Sequence, residues 1–288
     1  MKSNLVFIAQ LMLWSVPVEG FMSSGPRGFH RVKRVAAITL QPSPTSAMPD
    51  FSQEITDEKP FLVVPEFLPG NTCAALRKEI KDLRAGGKFS VAGIGEDATH
   101  DRVNTDIRVA ETLFVFPNKV PGMEPLYGIL EAVRQSLPGS LSAPLTECLL
   151  AYYPEGGYYK KHLDSVQNSA SVLREFSFLI YLNPSWSQED GGCLRIFKDP
   201  AGLDDSDYVD VEPRDGTLVV FKSGSVYHEV LPTKAERTAI VGWYNRPPTV
   251  GDIGQLSSNG SGVDATKIPL LLVSAALVAA GVAIMTQA

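Results

Sequence analysis

His162 and Asp164 stand two residues apart, a second histidine follows at His228, and Arg237 lies nine positions beyond it. Two imidazoles and one carboxylate are the ligand set of a non-haem Fe(II) centre, which leaves coordination positions open for a cosubstrate and O2. The chain has four histidines, and the other two, His30 and His100, fall in a targeting-like segment and a polar loop. Only His162 and His228 sit in apolar, strand-like context. The arginine carries a planar fork of N–H donors that matches a carboxylate. Such a group is costly to bury alone, so it implies an anionic guest. Tyr153 and Tyr181, each with one phenolic donor, are placed to share that guest. A His and an Asp two apart are common by chance. The same pair followed by a second His and an offset Arg, each beside a strand, is a specific pattern.

These side chains need strands to hold them. Strand residues two apart share a face, so His162 and Asp164 are expected side by side on one strand, with His228 arriving from a second. From Glu147 onward the runs ECLLAYY, FSFLIYL, CLRIF, YVDVE, TLVVF and RTAIVGWY are short, β-branched or aromatic, and divided by Gly, Pro, Asn or Asp. Strands so closely spaced predict a sandwich or jelly roll. Upstream, Phe61 to Leu68 and Ile107 to Phe116 also read as strands. A helix is expected from an N-cap at Asn71 to a stop at Gly86 and Gly87, with Cys73, Leu76, Ile80 and Leu83 forming one apolar stripe. Met123 to Leu137 repeats that periodicity, and Gly93 to Asp106 reads as an exposed polar loop. Gly156, Gly157, Gly191 and Gly192 read as turn markers. The expected class is α+β, a double-stranded β-helix (jelly-roll) core braced by N-terminal helices, in one domain over residues 59–248 without internal repeats.

A chain of 288 residues that is 44% hydrophobic can bury a sizeable core. Its formal charge of −6, with no cluster of Lys and Arg mid-chain, argues against a nucleic-acid partner. Cys73, Cys148 and Cys193 are too few and too scattered for a disulfide framework. Both ends read as addresses. Residues 1–20, with Lys2 ahead of an apolar run, have the form of a secretory signal peptide. Residues 21–58 open with a basic, hydroxylated stretch that lacks acids as far as Pro49, which reads either as a transit-like segment or as a linker. The first alternative resembles the bipartite presequences of algae with secondary plastids. Residues 249–267 read as a Gly- and Ser-rich tether. The uncharged run 268–285 reads as a C-terminal transmembrane helix, whose rise of about 27 Å is just short of a roughly 30 Å hydrocarbon core. A membrane-associated protein of the endoplasmic reticulum and secretory pathway, or of a plastid, is therefore expected.

Around the His–Asp–His–Arg set the phrases YYPEGGYYKKHLD, IYLNPSWSQEDGGCLRIF, VEPRDGTLVVFKSGSVYHEVLPT and ERTAIVGWY resemble the 2-oxoglutarate- and Fe(II)-dependent dioxygenases. Within these the chain is most similar to the prolyl 4-hydroxylase superfamily, in particular the hypoxia-inducible-factor type. The resemblance spans Leu149 to Tyr244, about a third of the chain, and extends more weakly back to Phe61. It implies that His162, Asp164 and His228 bind iron. It implies that Arg237 holds the distal carboxylate of 2-oxoglutarate and that Tyr153 and Tyr181 contact this cosubstrate. It places Tyr159, Arg174 and Trp243 on the substrate side. The implied activity hydroxylates a proline in a peptide or protein, with Fe(II), 2-oxoglutarate and O2, ascorbate as reductant, and succinate and CO2 as co-products. The segment from Tyr153 to His162 is slightly tighter than in the hypoxia type. Val241 stands where a hydrogen-bonding residue often faces the cosubstrate, and Gly93 to Asp106 holds no specificity sequence. A hydroxylase of another residue or of a small molecule is the rival enzyme, and a non-catalytic, membrane-tethered binding module is the rival from another class.

Overall fold

The computed structural model describes residues 49–93, 103–115, 124–142, 147–167, 169–249 and 252. Among the described residues three α-helices, α1 (Phe51–Glu54), α2 (Gly70–Ala85) and α3 (Glu124–Ser136), accompany twelve strands. The strands are β1 (Phe61–Val64), β2 (Ser90–Val91), β3 (Arg108–Val109), β4 (Glu111–Phe114), β5 (Glu147–Tyr153), β6 (Tyr158–His162), β7 (Arg174–Tyr181), β8 (Leu194–Phe197), β9 (Tyr208–Val211), β10 (Leu218–Lys222), β11 (His228–Val230) and β12 (Arg237–Asn245). They form two antiparallel sheets, in the orders β1-β10-β7-β12-β5-β4-β2 and β3-β6-β11-β8-β9. This is the jelly roll that the strand spacing predicts.

Alternation along the strands of the larger sheet divides its residues between two cores. Cys148, Leu150, Phe178, Ile180 and Ile240 pack with Cys73, Leu76 and Ile80 of α2 and with Leu126, Leu130 and Val133 of α3. The intervening residues Leu149, Ala151, Tyr153, Leu179, Tyr181, Ala239 and Trp243 pack with Leu194, Ile196, Val211 and Val230 of the smaller sheet. A sheet covered on both faces must be apolar at nearly every position, which is why β5, β7, β10 and β12 read as continuous hydrophobic runs. Each fully buried Leu, Ile or Phe contributes roughly 1.5–3 kcal/mol. All three cysteines are free thiols.

Three expected boundaries shift, each for a local reason. β1 stops at Val64 because Pro65 lacks the N–H a ladder needs and Glu66 sits at φ 53°. The N-cap of α2 is Pro69 rather than Asn71, whose Oδ1 instead accepts from the Thr72 N–H at 2.8 Å. The stretch beginning at Ile107 is not one strand. It breaks at Ala110 into β3, which joins the smaller sheet through Tyr159, and β4, which joins the larger through β5. The expected loop lies partly outside the described residues (94–102), as do the signal-like segment, most of the transit-like segment, almost all of the tether and the apolar run 268–285. Among the described residues no helix is long and apolar enough to cross a membrane.

Candidate active site

The two imidazoles come from neighbouring strands of the smaller sheet. His162 closes β6 and His228 opens β11, directly opposite each other in register, with ring centroids 4.2 Å apart. Each Nδ1 meets a backbone carbonyl two residues back, Lys160 at 2.7 Å and Val226 at 3.0 Å. A carbonyl only accepts, so each Nδ1 carries a proton, which makes each Nε2 the nitrogen able to offer a lone pair to a metal. Those Nε2 atoms face Asp164, at 3.5 Å from Oδ1 for His162 and 3.7 Å from Oδ2 for His228. One ligand atom from each of the three residues lies within 4.8 Å of the others, a spacing that one metal ion can bridge.

Asp164 departs from the expected geometry, because β6 ends at His162 and Asp164 lies two residues past it. The larger sheet holds it instead. Its Oδ2 accepts from the Ser177 hydroxyl at 2.6 Å, and its backbone carbonyl accepts from Arg174 Nη1 at 3.2 Å. Burial favours the protonated acid, but His228, His162 and the Ser177 hydroxyl outweigh it and hold the carboxyl below its usual range. Burial, reinforced by His162 beside it, pushes His228 down to about 4 against the pull of Asp164. His228 is therefore held neutral and Asp164 ionised, the forms in which these two side chains bind metal.

Arg237 opens β12 on the inner face and is fully buried. Its Nε donates to the Gly192 carbonyl at 2.9 Å, and its guanidinium lies over the rings of Tyr153 at 4.9 Å and Tyr181 at 5.0 Å. The carbonyl is delivered by a turn with Gly191 at φ 65° and Gly192 at φ 62°, and a Cβ on Gly192 would meet the Thr233 side chain at 2.9 Å. Arg237 Nη2 and the Tyr181 hydroxyl are buried without a hydrogen-bond partner. Burial raises the Tyr181 phenol, so it stays a donor. Two orphaned donors beside each other fit a carboxylate, as 2-oxoglutarate would supply. Val241 gives that wall an apolar surface packed into the inter-sheet core.

The residues expected on the substrate side flank the metal set. Tyr159 stacks on His162 at 3.7 Å, and the Arg108 guanidinium lies 4.6 Å from the centre of the Tyr159 ring. Trp243 presents a buried indole N–H without a partner, and Arg174 lies 3.8 Å over its ring. Arg174 also pairs with Glu147 through Nε and Nη2, so most of its donors are engaged within the chain. A cavity of about 810 Å³ on the opposite face of the larger sheet holds none of these residues. Arg77 and Arg84 in its lining are paired with Asp215 and Glu111. Ser177 and Ser223 escaped the sequence reading; their only signal was a hydroxyl inside or at the end of an apolar strand.

Comparison with known proteins agrees with this geometry. The family model described as the 2OG-Fe(II) oxygenase superfamily matches residues 148–245. The mouse protein Egl nine homolog 1 is 31% identical over 193 residues, covering 63% of this chain and 46% of its own length. The chain thus spans about half the length of the curated relatives it matches. A prolyl-4-hydroxylase from Pseudomonas putida is 32% identical with a TM-score of 0.53, covering 65% of this chain and 93% of that one. A Trichoplax adhaerens prolyl hydroxylase, solved with a hypoxia-inducible-factor peptide fragment, shares the fold at 23% identity and a TM-score of 0.60, covering 72% and 90%. The chain belongs to the 2OG-Fe(II) oxygenase superfamily and is related within it to the prolyl hydroxylases.

Proposed function

We propose that this chain is an Fe(II)- and 2-oxoglutarate-dependent hydroxylase of a proline in a peptide or protein. The observation that carries the oxygenase reading is the buried Arg237 Nη2 beside the unpartnered Tyr181 hydroxyl, together with a converging His–Asp–His set. His162, Asp164 and His228 would hold the iron. Arg237 and Tyr181 would grip the distal carboxylate of 2-oxoglutarate, with the Tyr153 ring packed against the guanidinium. Iron and 2-oxoglutarate together supply an oxidation that converts the cosubstrate to succinate and CO2 and places one oxygen atom of O2 on the substrate. The chain's own residues orient the reactants and exclude water: Leu179, Ala239 and Val241 make the wall between the strands apolar. Tyr159 and Trp243 flank the position a substrate would take, and ascorbate is the natural reductant for stalled iron. Proline as the target is supported by relatives that carry prolyl hydroxylase in their names.

The test is succinate formation by the full chain with Fe(II), ascorbate and 2-oxoglutarate, with and without proline-containing peptides, beside His162→Ala and Arg237→Ala. Peptide-stimulated succinate and a product heavier by one oxygen on proline, both lost in His162→Ala, are expected. Succinate without peptide stimulation would move the substrate to another residue or a small molecule. Failure to bind either iron or 2-oxoglutarate would leave a binding module. The apolar run 268–285 supports attachment to a membrane, and residues 1–20 support entry into the secretory pathway or a plastid. Release of the chain from membranes by salt alone would refute the anchor.

A further inference from the structure

Asp164 has no strand partner of its own; the two imidazoles of the smaller sheet face its carboxylate, while the hydroxyl that donates to it comes from the larger sheet. Ser177 on β7 donates to Oδ2 at 2.6 Å, and the Ser177 and Ser223 hydroxyl oxygens are 2.8 Å apart. Both serines are 0% exposed. A hydroxyl has one proton. Ser177 gives its proton to the carboxylate, so Ser223 must be the donor in the second bond. The chain of donation runs one way, from Ser223 to Ser177 to Asp164. Ser223 also accepts from the Ser165 N–H at 3.1 Å through its backbone carbonyl, and so ties down the residue next to the ligand. Its own N–H is used on the Glu175 carbonyl at 3.0 Å, which leaves it little freedom to move.

We propose that Ser177 and Ser223 are positioning residues for the metal centre, a directional hydroxyl relay that occupies Asp164 Oδ2 and leaves Oδ1 as the oxygen presented to iron. The inference rests on the iron reading given above. Its physical basis is that a carboxylate free to rotate can chelate through both oxygens or swing away, whereas a short, buried hydrogen bond to one oxygen selects a single pose. The bond is also the only side-chain hydroxyl contact recorded for that carboxylate among the described residues. Two buried hydroxyls, one within β7 and one just past β10, would otherwise cost stability without return, and their mutual satisfaction explains why the interior tolerates them.

The experiment titrates the full chain, stripped of metal, with Fe(II) alone and with Fe(II) plus 2-oxoglutarate under anaerobic conditions. The readouts are Fe(II) affinity and the visible charge-transfer absorption of the ternary complex. Ser177→Ala should weaken Fe(II) binding by roughly 10–100-fold, the range for lost outer-shell partners, and shift that absorption. Ser177→Thr keeps the hydroxyl and should restore both. Ser223→Ala should give a smaller loss, since Ser177 then lacks its donor. Wild-type affinity in Ser177→Ala, or an equal loss in Ser177→Thr, would overturn the relay and leave only packing. Should Ser177→Ala not fold, as judged by its metal-free Tm, Ser223→Ala decides: unchanged affinity there overturns the proposal. A wild-type chain that takes up no Fe(II) would instead sink the iron reading itself, and this inference with it.

Discussion

Arg237 is the residue whose environment says most about function. Its neighbours satisfy Nε and stack on its faces, but they leave Nη2 open beside the Tyr181 hydroxyl. Lysine at this position would keep the charge and lose the fork. Arg237→Lys should therefore raise the KM for 2-oxoglutarate by about 10–100-fold, the equivalent of one charge-assisted hydrogen bond. An unchanged KM would mean that the cosubstrate carboxylate sits elsewhere. At this scale the sequence was highly legible, because metal ligands and a carboxylate clamp demand particular side-chain types. His162, His228 and Arg237 were readable from type and spacing alone. Ser177 and Ser223 were not, since a serine in a strand is ordinary until a carboxylate is found 2.6 Å from it. Arg174 was legible as a site residue, but its engagement with Glu147, the Asp164 carbonyl and Trp243 depends on strands that meet only in the fold.

The strands carry the site by register, and β12 is the element most constrained. It lies between β5 and β7, with Arg237 opposite Tyr153, Ala239 opposite Tyr181, and Trp243 opposite Ser177. Gly242 allows this packing: a Cβ there would meet Phe178 Cζ at 2.4 Å and the Glu147 carbonyl at 2.8 Å. Gly242→Ala should destabilise the domain by about 1–3 kcal/mol through overpacking, measured by urea unfolding. An unchanged midpoint would show that the Phe178 ring moves aside freely. The strand runs were legible because burial on both faces leaves few polar interruptions. The split at Ala110 was not, since nothing local in ETLF or in Arg108 and Val109 records which sheet each will join. The place of Asp164 beyond β6 was missed for a related reason: two-residue spacing fits a strand, and also a bend that turns the carboxylate toward the other sheet.

For the whole molecule, ion pairs from the half-buried to the buried set the response to acid. Glu111, Glu131 and Asp252 are held below their ordinary range, first by hydrogen bonds from Arg84, Arg134 and Arg246 respectively. A carboxyl whose folded pKa is the lower one stabilises the fold above its unfolded value, and that contribution is lost as pH falls through the folded value. The Tm should hold steady down to about pH 5 and fall below about pH 4, less steeply in high salt. A Tm that rises toward low pH would contradict the sign. The interior responds to a different variable. A guanidinium kept at the centre of the core with one nitrogen unmatched is a burden whenever the cosubstrate is absent, and apolar residues in such places commonly leave a fold as stable or more so. Selection for stability alone would therefore erode Arg237. Among descendants of this chain, its replacement by Met or Leu would date the loss of catalysis more sharply than changes at the histidines, whose rings also pack against Tyr159 and Phe221 and so serve the core as well as the site.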